Sequence, residues 1–419
     1  MIAQAPRGTY DLYGEQVRKW RSIEKTITRL MEDFHYGEIR TPMFEHTELF
    51  QRGVGDTTDI VQKEMYTFLD KGNRSITLKP EGTAGAARAF LEHKMFADPQ
   101  PTKLYYITPC FRYEKPQAGR DRQFSQFGVE LYGAADPAAD AEVISIAHAL
   151  LKRLGIHNVT LHINSLGCGE CRAKYNQELR DYFERYKDSL CETCKERLER
   201  NPLRILDCKN PECRKIVEGA PSVLDALDAE CREHFEKVQV YLSGMGIPFV
   251  VDPGIVRGLD YYTRTVFEFV CDEIGAQGTV CAGGRYDHLI EELGGSPVPA
   301  VGFGAGIGRM IRAMEAANGT LQTEETLDLY VGSMGEKASI EALSLVYQLR
   351  ALHVSAESDL LGRSVKAQMK YANKQGARYT MILGETELET GKASLKNMES
   401  GESETVEFRN IQKWRNQLS

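Results

Sequence analysis

Four arginine-bearing stretches hold the residue types that could do chemistry in this chain. RGLDYYTRTVFE (Arg257 to Glu268) sets an arginine and a Tyr-Tyr pair beside an alternating strand, and AGGRYD (Ala282 to Asp287) adds a double-glycine turn. FRYEKPQAGRDRQF (Phe111 to Phe124) lies upstream and GFGAGIGRM (Gly302 to Met310) downstream. A guanidinium is permanently charged and grips phosphate oxygens in pairs, while glycine lets backbone approach a flat or anionic ligand. Together they predict an arginine-lined, glycine-approached pocket for a phosphorylated substrate.

Each stretch has a plainer reading beside the chemical one. Arg112 falls in a half-buried strand and needs an anion, which is either Glu114 or a ligand. Arg112, Arg120 and Arg122 around one hairpin suit a polyanion such as a triphosphate. GFGAGIGRM lacks the Lys-Ser/Thr ending of a Walker loop and the strand–helix–strand setting of a dinucleotide fingerprint. Its alternate glycines either bare one strand face for a planar ring or allow tight helix packing. In KPEGTAG, Glu81 and Thr83 open a helix, where Glu81 either serves the helix dipole or meets a substrate amino group. In SQFGVELYG, Gln126 and Glu130 share a strand face beside Gly128, so Glu130 either pairs with an arginine or reads a cationic or N–H-bearing group.

The elements that must position these residues are legible from periodicity. Val17, Trp20, Ile27, Leu30, Met31 and Phe34 recur at helical spacing from Glu15 to about His35. EIRTPMFEHTELF reads as a short strand broken at Pro42 and then a helix; RSITLKPEG, LYYITPCFRYE and QFSQFGVELYG read as strands. Strands resume through PFVVDPGIV, RTVFEFVCD, TVCAGG and VPAVGFGAG after a charge-rich helical block from Cys168 to about Gly246. Strands in meander order with one helical block between them predict an α+β domain with a mainly antiparallel sheet: residues 1–167 and 247–325, interrupted by a helical insertion, 168–246. After the polar linker EAANGTLQTEET, strands and helices alternate from LDLYVG to RYTMILG, predicting a small α/β domain with parallel strands over 326–419.

Composition bounds the setting. The 419 residues carry a formal net charge of −8, so a nucleic-acid partner must meet a local basic surface rather than a basic whole. Arg363, Lys366, Lys370, Lys374 and Arg378 fall between Leu361 and Arg378 with no acidic residue, and three of the lysines form one helical stripe. No apolar run approaches a membrane span and the N-terminus has no signal-peptide core, so a cytoplasmic location is expected. Ten cysteines in such a chain are not a disulfide framework. Cys168/Cys171 and Cys191/Cys194 have the spacing of two zinc knuckles, with Cys208 and Cys213 a looser third pair; four thiolates on a small helical insertion could hold a structural Zn2+, or serve as small core residues.

Over nearly its whole length the chain resembles the class II aminoacyl-tRNA synthetases, and among them the histidyl-tRNA synthetase family, bacterial type. After PRGTYD at the start, EIRTPMFE with Pro42, FRYE…RQF and GFGAGIGR match the three class signatures, while RGLDYYTRTVFE and AGGRYD are peculiar to the histidine enzymes. The resemblance implies ATP-dependent ligation of L-histidine to tRNA(His) through a histidyl-adenylate, with Mg2+ accompanying the ATP. It places Arg112 on the α-phosphate and the histidine carboxylate, with Arg257 opposite it where related enzymes use a metal ion. It places Glu114 and Phe124 on adenine, and Arg120 and Arg309 on the outer phosphates. Glu81, Thr83 and Gln126 fall to the substrate amino group, Glu130, Tyr261 and Tyr262 to the imidazole. Lys115 and Gln117 fall to the acceptor end of the tRNA, and the terminal basic stripe to the anticodon stem-loop. The resemblance also implies a homodimer joined around Pro42. Lys79 and Lys115 stand where the family often has arginine. The rival implied readings are a histidine-binding regulatory paralogue of ATP phosphoribosyltransferase, which lacks the terminal domain, and a catalytically idle tRNA-binding module.

Overall fold

A computed structural model describes residues 3–55, 58, 60–117, 119–255, 259–317 and 327–418. The chain divides into two units, Met1–Gln322 and Thr323–Ser419.

The first unit begins with α1 (Glu15–Phe34), which buries Trp20, Ile23, Ile27, Leu30 and Met31 along one stripe. It stops because His35 turns left-handed at φ 61° and its N–H closes on Glu32. Then come β1 (Gly37–Glu38), β2 (Phe44–His46), α2 (Thr47–Val54), β3 (Tyr66–Leu69), β4 (Ser75–Leu78) and α3 (Thr83–Glu92). Two long strands follow, β5 (Thr102–Phe111) and β6 (Gln123–Tyr132), then α4 (Pro137–Arg153), capped by Asp136 with proline in its first turn, and β7 (Thr160–Ser165). Four helices form the insertion region: α5 (Gly169–Glu184), α6 (Glu192–Arg200), α7 (Pro211–Val217) and α8 (Ala229–Gly244). The unit closes with β8 (Val250–Val251), β9 (Thr263–Val270), β10 (Thr279–Arg285), α9 (Leu289–Glu292), β11 (Ala300–Gly306) and α10 (Ile307–Ala316).

The main sheet has eight strands in the order β1-β5-β6-β11-β10-β9-β7-β8. Only its two edges, β1 on β5 and β8 on β7, pair in parallel; every pair between is antiparallel. β2, β4 and β3 form a separate small sheet. One face of the main sheet is covered by α1, α4, α8 and α10, whose apolar residues meet Phe127, Val129, Phe267 and Phe303 in the largest core. The opposite face is left for the site.

The insertion has a small core of its own around Tyr175, Leu179, Phe183, Leu198, Ile205 and Val223. Helix α8, which reads from the sequence as part of the insertion, instead buries Phe235, Val238 and Leu242 in the main core. Its weak amphipathic pattern gave no hint of the side on which it packs.

In the second unit, β12 (Leu329–Ser333), α11 (Glu336–Ala351), β13 (Ala356–Ser358), α12 (Val365–Lys374) and β14 (Tyr379–Leu383) alternate as expected, and β13, β12 and β14 are parallel. The sheet does not end there. After α13 (Glu385–Thr390), β15 (Lys392–Asn397) and β16 (Ser403–Glu407) extend it antiparallel, and α14 (Ile411–Trp414) closes its core. Lysine, glutamate and serine fill the exposed face of this last hairpin, and only Ala393, Leu395 and Val406 are buried, so its alternation is faint in the sequence.

Candidate active site

Strand pairing lays a floor of small residues. Gly302, Gly304 and Gly306 of β11 stand opposite Glu130, Gly128 and Gln126 of β6, and Ala282 and Gly284 of β10 face Gly304 and Gly302. Directly paired residues share a sheet face. A cleft of about 880 Å3 lies against this face, lined by Glu81, Thr83, Arg112, Glu114, Gln117, Arg120, Phe124, Gln126, Tyr261, Tyr262 and Arg309.

The closed end of this region is carboxylate and phenol. Glu81, buried, accepts the N–H of Thr83 at 2.6 Å and of Ala84 at 2.8 Å, which aims it across the first turn of α3. Glu130 is fully buried beneath the cleft. Tyr106 donates its hydroxyl to Glu130 Oε1 at 2.9 Å, and Tyr286 donates to Oε2. Tyr261 packs against Tyr262 and Tyr286 with ring centroids 4.7 and 5.4 Å away. Burial pushes the Glu81 carboxyl upward. It raises Glu130 to about 8, against the opposing hydrogen bonds from Tyr286, Thr83 and Tyr106 and with help from the Glu81 charge. Two desolvated carboxyls side by side favour a ligand that brings N–H groups or positive charge.

The open end is cationic. Arg112 donates Nε to the Pro80 carbonyl at 2.8 Å, and its guanidinium lies 5.3 Å from the centre of the Phe124 ring. Glu114 sits 4.0 Å from Arg112 Nη1 and 3.2 Å from Arg120 Nε, so the plain ion-pair reading of Arg112 holds only at the limit of contact. Arg309 donates to the carbonyls of Gly119 and Thr279, and burial first, then Arg120, pull its pKa below the usual guanidinium range. Three guanidiniums crowded about Glu114 concentrate positive charge that suits an anion.

Profile comparison matches residues 8–310 to a family described as "Histidyl-tRNA synthetase" and residues 328–417 to one described as "Anticodon binding domain". A "Histidine–tRNA ligase" of Acetivibrio thermocellus is 54% identical over 406 residues, covering 97% of each chain. One of Clostridium botulinum is 55% identical over 411 residues, covering 98% of each. The apo S. aureus histidyl-tRNA synthetase crystal structure is 41% identical, covers 99% of both chains and superposes with a TM-score of 0.85.

The chain belongs to the histidyl-tRNA synthetase family.

Within that family frame, Glu81, Thr83, Gln126, Tyr261 and Tyr262 line the same cleft as Arg112, Glu114, Arg120, Phe124 and Arg309, and Glu130 lies just below it. Gln126 accepts the Gly82 N–H at 2.9 Å, fixing it beside Glu81. Arg257 lies outside the described residues. Arg122 does not join the anion site; its guanidinium covers Tyr113 at 3.9 Å. Gln117 lines the cleft while Lys115, exposed, does not. Lys79 is buried, with Nζ 3.2 Å from both the carbonyl and hydroxyl of Thr41, and burial lowers its pKa. Compact ammonium geometry is enough for those two acceptors.

Two phenols bonded to Glu130 escaped the sequence reading, Tyr106 and Tyr286. AGGRYD reaches the cleft wall through Ala282 and reaches Glu130 through Tyr286, whereas Arg285 points away into a buried pair with Asp140. In the second unit Lys366, Lys370 and Lys374 are exposed on α12, but Arg363 is tied to Asp359 at 2.9 Å and covers Tyr371. The knuckle pairs do not converge on one site. Cys191 and Cys194 gather with Cys208 and Cys213, and Cys168 and Cys171 with Asp228 and Cys231.

Proposed function

We propose that this chain is a histidine–tRNA ligase that activates L-histidine with ATP and passes the histidyl group to tRNA(His), releasing AMP and pyrophosphate. The observation that carries this reading is one cleft with a desolvated carboxylate–phenol end, Glu81 and Glu130 with Tyr106 and Tyr286, and a guanidinium end, Arg112, Arg120 and Arg309. Glu81, Thr83 and Gln126 take the amino group of histidine; Glu130, with the tyrosines about it, takes the imidazole. Phe124 and Glu114 receive adenine, and Arg120 and Arg309 receive the outer phosphates.

In the activation step the histidine carboxylate oxygen attacks the α-phosphorus, and the bond to the pyrophosphate oxygen breaks. Charge grows on the phosphoryl oxygens, where Arg112, joined by Arg257 in the role the family resemblance gives it, stabilises it more than in the ground state. Magnesium enters with ATP as part of that substrate, and Glu268 is an oxygen donor on the cleft wall. The acyl group then passes to the tRNA 3′ end, with Lys115 and Gln117 near the acceptor strand and Lys366, Lys370 and Lys374 on the anticodon stem-loop. The chain works in the cytoplasm as a homodimer. Phe44, Phe68 and Leu69, exposed on the small sheet β2-β4-β3 near Pro42, supply apolar surface for a second copy.

The regulatory-paralogue reading is disfavoured by the matched anticodon-binding region at 328–417. The test is histidine-dependent ATP–pyrophosphate exchange followed by charging of tRNA(His). Exchange that depends on histidine and falls by several orders of magnitude in Arg257→Ala supports the reading; no exchange with any amino acid overturns it.

A further inference from the structure

Two clusters on the insertion each place four metal-competent side chains with ligand atoms within 4.8 Å of one another. One is Cys191, Cys194, Cys208 and Cys213; the other is Cys168, Cys171, Asp228 and Cys231. We propose that these are two separate structural zinc sites, a four-thiolate site inside the insertion and a three-thiolate, one-carboxylate site at its neck. The proposal stands apart from the catalytic reading.

Thiolates about 2.3 Å from a tetrahedral zinc lie roughly 3.8 Å from one another. Cys191 and Cys208 Sγ are 3.9 Å apart, and Cys168 and Cys171 Sγ 3.6 Å. Asp228 divides its two oxygens between tasks. Oδ1 caps α8 by accepting the Cys231 N–H at 2.7 Å, and Oδ2 faces Cys168 and Cys171 at 3.2 and 3.1 Å. A carboxylate oxygen aimed at two sulfurs repels their thiolates unless a cation lies between them. Backbone N–H groups already point at sulfur in both clusters, Cys191 to Cys213 at 3.3 Å and Asp228 to Cys171 at 3.2 Å. Such donors orient and stabilise thiolate ligands.

Local backbone is shaped for both. Cys168 and Cys191 occupy the caps of α5 and α6, so each Cys-x-x-Cys pair folds onto one helical turn. Gly167, at φ 67°, makes the knuckle before Cys168, and a Cβ there would lie 2.3 Å from Cys171 Cβ. All four positions in each cluster come from protein, which is the closed coordination of a structural site. Three thiols and a carboxylate cannot all be consumed by disulfides, since one thiol is left over, and all ten cysteines are free.

The placement gives each ion a separate task. The neck site ties the chain where it leaves β7 to the start of α8, across 57 residues from Cys171 to Asp228. The inner site ties α6 to the segment carrying Cys208 and to α7, beside a core too small to hold itself without a staple.

The full-length protein, purified without chelator from zinc-supplemented cells, should contain two zinc ions per chain by elemental analysis. The double variant C194S/C208S should retain one, C171S/C231S one, and the quadruple variant none. Cobalt bound to C171S/C231S, with the four-thiolate site left, should show a stronger sulfur-to-metal band than cobalt bound to C194S/C208S. If the variants fail to fold, a mercurial thiol reagent added to the unaltered protein should still release two equivalents to a chromogenic chelator, and D228N should weaken retention of one. Well under two zinc ions per chain, iron in place of zinc, disulfides in the unreduced intact mass, or loss of both ions from either pair of substitutions would overturn the assignment.

Discussion

Tyr106 lies directly over Gly128, close enough that a Cβ at Gly128 would stand 2.2 Å from the phenol carbon, and it reaches past to donate to Glu130 at 2.9 Å. Gly82 clears its other side, where a Cβ would also fall 2.2 Å from the ring. Two residues without side chains therefore hold open the slot through which one phenol fixes a buried carboxylate. Gly128→Ala must displace Tyr106 and strip that hydrogen bond. A ligand that brings N–H groups or positive charge ionises Glu130, and a hydrogen bond to a charged partner contributes about 1.5–3 kcal/mol. We expect kcat/KM for histidine in pyrophosphate exchange to fall roughly 10- to 100-fold, by the same energy scale, with KM for ATP little changed. Equal losses toward both substrates would remove Tyr106 from histidine recognition.

The burial of Glu130 has a pH consequence of fixed sign. Its pKa in the folded protein is raised to about 8 from an ordinary 4.5, chiefly by burial. Between those values the native state binds more protons than the unfolded chain, so this group makes stability fall as pH rises. Glu130→Gln removes the slope. The difference in Tm, variant minus unaltered protein, should grow from pH 5 to pH 8 without ligand, while histidine activation is lost at every pH. A flat difference would contradict the desolvated carboxyl.

Arg285 shows how an arginine in a chemically suggestive motif can serve the fold. It is fully buried and pairs with Asp140 and with Asp287 at 3.2 Å, and His234 Nε2 lies 3.4 Å from Asp140. Burial raises the Asp140 carboxyl and Arg285 outweighs it, leaving the pKa at about 2. Its stabilising contribution is present above the unfolded value of 3.8 and is lost as pH falls through 2. Asp140→Asn leaves the buried guanidinium with only the partly exposed Asp287 as carboxylate partner, at a cost of about 3–5 kcal/mol. Calorimetry should show Tm lowered by the order of 10 °C, with both substrate KM values near normal at low temperature.

Much of this site was legible because its residues carry local signals. Phe124 and Gln126 sit on β6, Arg112 lies one residue past the end of β5 and Glu81 opens a helix; periodicity marks these elements, and the family motifs assign the residues to a cleft. Tyr106 and Tyr286 were not legible. A tyrosine on a strand is ordinarily core, and only the pairing of Tyr106 with Gly128 shows what its hydroxyl reaches. The same limit hid the partners of the cysteines. Cys168 and Cys171 announce a knuckle, but Asp228 and Cys231 join it only after 57 residues of chain fold back, and no local pattern encodes that return. The hairpin β15–β16 escaped for another reason, since solvent covers one face and its polar residues mask the alternation.

If the basic stripe of α12 carries the proposed anticodon contact, RNA binding can be tested apart from the chemistry. Lys366, Lys370 and Lys374 are exposed and four apart, on a unit distinct from the cleft. Changing all three to glutamine should raise KM for tRNA(His) and reduce the slope of log affinity against log salt by about 2–3. Pyrophosphate exchange, which needs no tRNA, should stay within about twofold, since the cleft lining includes none of these three lysines. An unchanged salt slope would place the anticodon contact elsewhere.

Arg172 links the insertion to the loop of Tyr261 and Tyr262 on the cleft wall. It follows Cys171 in the first turn of α5 and donates Nη1 to the Asp260 carbonyl at 3.1 Å and Nη2 to that of Tyr262. Arg204 and Asn201, also from the insertion, approach the Asp260 carboxylate at 3.4 Å. The loop that presents Tyr261 and Tyr262 is thus held from behind by residues of the insertion, and Arg172 is its forked clamp. Arg172→Ala leaves two carbonyls without their donor, worth about 1–3 kcal/mol. Because those carbonyls sit on either side of Tyr261, the loss should appear in histidine KM, raised roughly tenfold by that energy, rather than in ATP KM. Arg172→Lys, which keeps the charge but cannot span both carbonyls, should recover only part of it. If histidine and ATP KM rise together, or if only Tm falls, Arg172 supports the fold and not the pocket.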